Sequence, residues 1–243
     1  MTLLSAHQPC YLPWLGLWNK VISSDIFVIL DDCQFEKGSY TNRTKIKTAQ
    51  GEHWLTIPVT KGANKLSIKD VAIASGSINE VDSYEDHWSF KHFNTIRHNY
   101  RRSEYFDMVH EEIDSSVGWP DSLAFLSNSL TDIAEFVGCE YHVAYQSTTG
   151  ITGHKQQLII NLCRHYNADA FLFGMHGRDY VDLDEMRDAG IEPIFQDFKC
   201  IEYPQQWGGE FIPGLSIIDA LFNVGPEKTM DLIKGGYELP EKY

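Results

Sequence analysis

The chain has 243 residues, of which 43% are hydrophobic and 22% charged, and its formal net charge at neutral pH is −14. This composition is typical of globular proteins and excludes disordered and fibrous classes. The acidic balance excludes a nucleic-acid duplex as the expected partner, because a duplex surface requires clustered lysine and arginine. It still allows a local basic pocket for one small phosphorylated molecule.

The five cysteines form no Cys-x-x-Cys pair, and their odd number predicts reduced thiols. The first residues lack the basic start and the apolar run of a signal peptide. No stretch approaches the roughly 18 apolar residues that span a bilayer. We therefore expect a soluble cytoplasmic protein without membrane insertion.

The first sixty residues contain a compact βαβ pattern. A short apolar run at residues 3–6 and a β-branched and aromatic run at 26–30 predict two strands, the second buried on both faces. Between them, apolar residues at helical spacing predict a helix over 14–22. The crossover of such a unit is right-handed, and ligands of open α/β sheets bind beyond the carboxyl ends of the strands. We therefore expect the chemistry just after these two strands.

The rest of the chain adds further strands and helices. Strands are predicted at 53–59, 68–73, 143–145, 170–173 and 191–198, and helices at 123–137, 155–165 and 216–224. Ser122 is the expected N-cap and Gly138 the expected stop of the 123–137 helix, residues 34–48 are polar, and the tail after Gly235 is expected to be loose. The pattern predicts one α/β domain over 1–243, with a Rossmann-like, three-layer, mostly parallel sheet and a helical insert at about 84–138.

The opening motif is long and specific. It reads Ala6-His7-Gln8-Pro9-x-Tyr11-Leu12-Pro13-Trp14-Leu15-Gly16. Further motifs are Leu30-Asp31-Asp32-x-Gln34, Asn42-Arg43-x-Lys45, Tyr203-Pro204-Gln205 and Leu215-Ser216-Ile217-Ile218-Asp219. With these motifs the sequence resembles the WbqC-like family of bacterial proteins over nearly the whole chain.

The resemblance implies an enzyme of bacterial surface-polysaccharide (O-antigen, lipopolysaccharide) biosynthesis. Its implied reaction transfers an acyl or aminoacyl group, glycine among the candidates, to the amine of a nucleotide-linked amino sugar. The implied co-reactant is an activated acyl or aminoacyl donor, and ATP with Mg²⁺ stays open. Two alternatives are a non-catalytic nucleotide-sugar-binding or scaffold protein of the same pathway and an ATP-dependent adenylate-forming ligase. The oligomeric state stays open, with a homodimer as one candidate.

Three residues are candidates for catalysis. His7 follows the first strand directly, where an imidazole acts as a general base or donates to a phosphate, although a loop histidine with a purely structural hydrogen bond is the alternative. Asp31 and Asp32 follow the second strand, where one carboxylate is expected to position the substrate amine. Adjacent residues point to opposite faces, and Asp is also common in turns and caps.

The candidate binding residues follow from the missing phosphate loop. No glycine-rich phosphate-binding motif is present, so Lys20, Arg43 and Lys45 are expected to hold the anionic part of the ligand. Tyr11 and Trp54 are expected to stack on a base or sugar, with core packing as the alternative. The remaining candidates are Gln8, Gln34, Asn42, Gly174, Tyr180 and Gln205, together with Ser216, Asp219 and Asn223 on one face of the last helix.

Metal and cysteine chemistry are both disfavoured by the pattern. No two histidines have the i, i+4 spacing of a helical zinc pair, so no structural metal is predicted. Cys10 lies near His7 in the sequence, and a Cys–His acyl transfer would need its thiolate. Nothing else in the sequence requires that role.

Overall fold

The computed structural model describes residues 1–74, 83–118 and 120–240. Its centre is a sheet of five strands, β1 (Leu3–His7), β2 (Ile26–Ile29), β5 (Val143–Tyr145), β6 (Ala170–Phe173) and β7 (Glu192–Phe195). The strand order is β5-β2-β1-β6-β7, and all neighbouring strands are parallel. The predicted Rossmann-like α/β class is confirmed.

The predicted βαβ unit forms as expected. Helix α1 (Leu15–Ile22) connects β1 to β2, and the two strands pair in parallel from Leu4 with Ile26 to His7 with Ile29. The backbone N–H of Leu30 donates to the His7 carbonyl oxygen at 2.9 Å, so the pairing continues to the carboxyl edge. This edge is where the sequence pattern placed the chemistry.

Helices cover both faces of the sheet. On one face, Leu4 and Val28 pack with the apolar residues of α6 (Gln156–His165) and α7 (Leu183–Asp188). On the other face, Phe27 packs with α1 and with α8 (Ile217–Gly235). Because helices pack on both faces, the sheet is the middle layer of three, as predicted.

The polar segment 34–48 contains a strand that the sequence pattern did not reveal. β3 (Arg43–Thr48) and β4 (Gly51–Thr56) form an antiparallel hairpin outside the main sheet. Thr44, Ile46 and Lys47 are buried in this strand although two of the three are polar. Hydrophobic periodicity cannot detect a strand whose buried side includes a hydroxyl and an amine.

The predicted strand at 68–73 is wrong. Ile68–Asp70 is a single 3₁₀ turn, whose first two N–H groups donate to the carbonyls of Cys33 and Asp31. Ala72 and Ile73 make isolated bridges with Ser122 and Val59 and extend no ladder. The apolar side chains are buried by loop packing, which produces the same short hydrophobic run as a strand.

The helical middle is confirmed. It comprises α2 (Trp88–Tyr100), α3 (Phe106–Val117) and α4 (Phe125–Phe136). The predicted cap of α4 is wrong, because the helix begins after Ala124, while Ser122 bridges to Ala72. Gly138 has φ of +67° and stops α4 as predicted. That this segment and the sheet form a single domain remains a prediction.

The last helix is longer than predicted. The sequence pattern ended it at 224, where Gly225 with φ of +77° precedes Pro226, but α8 continues after this kink to Gly235. The following residues are also anchored, since Asn19 Nδ2 donates to the carbonyl oxygen of Tyr237 at 3.0 Å. The expected loose tail is therefore wrong as far as Tyr237, and residues 241–243 lie outside the described residues. The short helix α5 (Gln146–Thr149) and α7 were not predicted.

Among residues 1–74, 83–118 and 120–240, no helix is both long enough and apolar enough to cross a bilayer.

Candidate functional site

A cavity of about 770 Å³ opens at the carboxyl edge of the sheet. In its wall, His7 ends β1 and Gln8 follows it, Gly174 follows β6, and the first turn of α1 closes one side. The chain leaves β1 toward β2 on one side, while β6 lies on the other, so the cavity occupies the topological switch point. Its volume is in the range of sites for nucleotide-sized ligands.

The hydrogen bond of His7 defines which ring nitrogen is available to a ligand. Its Nδ1 lies 2.8 Å from the carbonyl oxygen of Gln8, and a carbonyl only accepts, so Nδ1 carries the proton and donates. Nε2 then keeps its lone pair. Burial, followed by the charge of Lys20, lowers the pKa of His7 to about 4. The imidazole is neutral at physiological pH and can accept a proton.

Lys20 lies in the same cavity and is almost fully buried. Its ammonium donates to the carbonyl oxygen of Ala6 at 2.7 Å and lies 5.7 Å from the centre of the Phe171 ring. Burial lowers the pKa of Lys20 to about 7. The amine therefore changes charge close to physiological pH.

Cys10 is adjacent to His7 but lacks the properties of a nucleophile. Its Sγ lies 3.6 Å from Nδ1 of His7 and 3.4 Å from the Gln8 carbonyl oxygen. Burial raises the pKa of the Cys10 thiol to about 12, which keeps the thiolate population negligible at neutral pH.

Several polar side chains of the wall were not predicted, among them Gln196 and Tyr40. Gln196 follows β7 at the same sheet edge, and its Nε2 donates to Gly16 O at 3.0 Å and Asn19 Oδ1 at 2.6 Å. The predicted strand at 191–198 enclosed Gln196, whereas β7 ends at Phe195, so the sequence pattern did not place Gln196 after a strand. Tyr40 enters the wall from the loop before β3, and no local signal marks it.

The charges of the cavity differ from those of the whole protein. Lys20, His7 and His176 line it, and the described lining residues include no carboxylate. The chain as a whole carries a formal charge of −14. The acidic groups of the described residues thus lie outside this wall, and the cavity suits a ligand with a negative group.

A model of the WbqC-like protein family matches residues 8–231, beginning directly after His7. The chain belongs to the WbqC-like protein family. One similar protein is the uncharacterized protein Rv1507c of Mycobacterium tuberculosis, which is 29% identical over 232 residues, covering 93% of this chain and 96% of that protein. The family resemblance seen in the motifs is confirmed.

The family motifs contribute to the cavity only in part. Five of the predicted site residues line it: His7, Gln8, Lys20, Gly174 and Tyr180. They come from the ends of β1 and β6, from α1 and from the turn before α7. All five lie at or near the switch point, as the sheet topology requires.

Asp31 and Asp32 lie at the predicted edge, but their carboxylates are engaged outside the cavity. Both oxygens of Asp31 accept from Ser147, from its N–H at 3.0 Å and its hydroxyl at 2.6 Å. Asp32 pairs with Lys69 at 3.1 Å. Neither aspartate lines the cavity, because each carboxylate binds a donor on a neighbouring short helix, Ser147 or Lys69.

Tyr11 is a core residue in this structure. It is 1% exposed, its hydroxyl lies 3.0 Å from His92 Nδ1, and its ring packs against Trp88 and Phe125. Its position between two prolines directs the side chain into the interface with the helical middle. The predicted stacking on a ligand does not fit this placement.

Arg43, Lys45 and Trp54 form a group beside the cavity. The Arg43 guanidinium lies 4.1 Å from the Trp54 ring centre, and Lys45 pairs with Glu52 at 2.8 Å. Trp54 contacts Tyr40 with ring centres 5.4 Å apart, and Tyr40 lines the cavity. The group supports the cavity wall through Tyr40.

Gln34 and Asn42 hold loops. Gln34 is exposed, and its Nε2 donates to the carbonyl oxygen of Asn64 at 2.7 Å. Asn42 Nδ2 donates to Ile57 O at 2.9 Å, while Ile57 N donates back to Asn42 O, which closes the open end of the β3–β4 hairpin.

The predicted polar face of α8 is mainly structural. Ser216 caps the helix and its hydroxyl donates to Leu12 O at 2.7 Å. Asp219 is fully buried and accepts from the hydroxyls of Tyr100 and Tyr203. Asn223 Nδ2 donates to Asp219 O at 2.7 Å. Of these partners, Tyr203 reaches the cavity wall.

Gln205 stabilises the loop before α8. Its Oε1 accepts from Ile212 N at 3.0 Å and from Lys47 Nζ at 3.2 Å, and its Nε2 donates to Ile212 O. This loop contributes Pro213 and Gly214 to the cavity wall. Gln205 thus holds the loop that carries Pro213 and Gly214 but does not itself line the cavity.

Within the described ranges, no group of three or more His, Cys, Asp and Glu side chains is arranged to hold a metal ion.

Acidification is expected to destabilise the fold through His92. Burial lowers its pKa to about 4, while an unfolded histidine titrates near 6.5, so the unfolded state binds more protons between these values. The free energy of unfolding should fall as the pH drops through this window, by about 2 kcal/mol at pH 5. Urea unfolding of His92→Gln at pH 7 and pH 5 should show a smaller pH effect than the wild type. His98→Gln, an exposed change on the same helix, should retain the wild-type effect.

Proposed function

We propose that this WbqC-like protein transfers an acyl or aminoacyl group to the amine of a nucleotide-linked amino sugar, as a cytoplasmic step of O-antigen assembly. The observation that carries the proposal is the cavity of about 770 Å³ at the switch point, which combines a neutral His7 with a described lining free of carboxylates. Its size suits a nucleotide-linked sugar, and its charge suits the phosphates.

The reaction requires one proton acceptor. When the sugar nitrogen attacks the acyl carbon, the N–C bond forms, the bond to the donor's leaving group breaks, and the nitrogen loses a proton. Nε2 of His7 is the acceptor, because Gln8 holds the proton on Nδ1. A phosphate bound nearby would raise the pKa of His7 and strengthen it as a base.

The wall residues around His7 maintain its orientation. Trp14 contacts the imidazole edge-on with ring centres 5.8 Å apart, and Tyr40 packs on Trp14 at 5.0 Å. Both aromatic rings line the cavity, where they offer apolar surface to a sugar or a base. Positioning of this kind is a large part of the catalysis in group-transfer enzymes.

A transfer assay tests the proposal. The protein is incubated with nucleotide-linked amino sugars and a panel of activated acyl and aminoacyl donors, and amide products are detected by mass spectrometry. His7→Gln should reduce the rate by a factor of about 100 or more, the usual contribution of a general base. His165→Gln, an exposed change on α6, should retain the full rate.

Three other outcomes would change the assignment. Full activity of folded His7→Gln would remove the base role from His7. Stabilisation by nucleotide sugars without any product would indicate a binding or scaffold protein instead. Release of pyrophosphate that depends on ATP and an amino acid would indicate an adenylate-forming ligase.

A further inference from the structure

Lys20 is a buried cation without a described counter-charge. Its side chain is 5% exposed, and its ammonium has one hydrogen bond, to the carbonyl oxygen of Ala6 at 2.7 Å. No ion pair within 4.0 Å joins Lys20 to a carboxylate in the part of the chain that the structure describes. The amine nevertheless lines a cavity large enough for a ligand.

The other side chains around Lys20 supply no negative charge. His7 on β1 is neutral, and Cys10 in the following loop remains a protonated thiol because burial raises its pKa. Phe171 on β6 offers only its ring face. The titratable groups elsewhere in the described wall are His176, Tyr40, Tyr180, Tyr203 and Cys200. None of them is an anion at neutral pH by its ordinary chemistry.

A lysine in this position is unfavourable for the unliganded fold. Removing an ammonium from water without a compensating anion destabilises the folded state, and an apolar side chain of similar length would avoid this effect. The lowered pKa of Lys20, about 7, is the expected consequence of the same burial. A ligand with a negative group would supply the missing charge.

The start of α1 adds a second feature that favours an anion. Its first residues, Leu15, Gly16 and Leu17, line the cavity, and no side chain caps the helix at Trp14. Backbone N–H groups and the helix dipole favour negative charge at such an end. The two other cations predicted to bind the anion make other contacts beside the cavity. Arg43 packs on the Trp54 ring, and Lys45 forms an ion pair with Glu52.

We infer that Lys20 binds a phosphate group of the ligand deep in the cavity, and that this binding takes up a proton. The inference rests on the proposed function only for the choice of a nucleotide diphosphate as the source of the phosphate. Above neutral pH the unliganded amine is largely uncharged, and a bound phosphate restores the ammonium. Affinity for the anion therefore decreases as the pH rises above about 7.

Calorimetric titration with inorganic pyrophosphate and with uridine diphosphate tests the inference. The wild type should bind both anions at pH 6.5, with at least about tenfold weaker binding at pH 8.5, since proton uptake accompanies the contact. Lys20→Met should lose at least about tenfold in affinity at pH 6.5 and should lose the pH dependence. Its melting temperature without ligand should exceed that of the wild type. Lys228→Met, which removes an exposed, ion-paired lysine on α8, should bind as the wild type does.

The inference is overturned if Lys20→Met binds both anions with wild-type affinity, or if the wild type binds neither. If Lys20→Met does not fold, titration of the wild type in two buffers of different ionisation enthalpy decides instead. Equal apparent enthalpies in the two buffers at pH 8 would exclude the proton uptake. These measurements need no acyl donor. Lysine-dependent binding without any transfer would contradict only the proposed function, and transfer with lysine-independent binding would contradict only this inference.

Discussion

Replacing Asp219 by alanine is expected to lower the free energy of unfolding by about 3–5 kcal/mol. The carboxylate is fully buried near the start of α8 and accepts hydroxyl hydrogen bonds from Tyr100 at 2.6 Å and Tyr203 at 2.9 Å. Burial raises the pKa of Asp219, opposed by these hydrogen bonds and by the charge of Lys47. Alanine would leave two buried phenols without their acceptor and Lys47 without the nearby negative charge.

Urea unfolding of four variants separates these contributions. Asp219→Asn keeps the side-chain volume and one acceptor oxygen, so its loss should be smaller than that of Asp219→Ala. Tyr203→Phe removes a single hydrogen bond and should cost about 1–2 kcal/mol. Asp231→Ala, a change at an exposed residue in the second half of α8, should stay within about 0.5 kcal/mol of the wild type. A loss for Asp219→Ala no larger than that for Asp231→Ala would show that the network is energetically unimportant.

Gly225→Ala is expected to lower the free energy of unfolding by about 3 kcal/mol. Gly225 lies at the kink of α8 with φ of +77°, a conformation that L residues rarely adopt. A Cβ built there would lie 2.6 Å from Cε1 of the Tyr105 ring. The substitution therefore combines backbone strain with a collision between α8 and the residue that precedes α3.

Gly138→Ala is the control for a positive φ without a collision. Gly138 also has a positive φ, +67°, but a Cβ there would meet nothing within 4 Å. Gly138→Ala should lower the free energy of unfolding only by the backbone strain of a positive φ, about 1–2 kcal/mol. Gly225 also has ψ of 171°, a region that is nearly restricted to glycine, so the difference between the two variants in guanidinium unfolding reports the collision with Tyr105 together with this extra backbone strain. Equal losses would mean that neither contribution adds to the strain of a positive φ.

The order of elements around the cavity could be predicted because its signals are local. The apolar run at Ile26–Ile29 and the helical spacing in α1 each depend on a few consecutive residues. Their order implied a parallel pair, and a parallel pair implied a site at its carboxyl edge. His7 and Gln8 line the cavity for this reason, and Gly174 occupies the equivalent position after β6.

The roles of the other polar residues could not be read from the sequence because their partners are distant along the chain. Asp31 is bonded to Ser147, 116 residues away, and Tyr11 to His92, 81 residues away. The residues adjacent to them in the sequence suggested that both side chains contact a ligand. Because each side chain hydrogen-bonds to its distant partner, neither lines the cavity.

The sequence by itself determined the family, the α/β class and the sheet edge at which the cavity lies, since these follow from motifs and from the periodicity of short segments. Only the tertiary structure decided which cation reaches the cavity. Lys20, Arg43 and Lys45 were equivalent candidates in the sequence, but β6 places Phe171 beneath Lys20, while the β3–β4 hairpin directs the other two onto Trp54. The charge and burial of a side chain depend on such packing between distant elements, which local patterns do not encode.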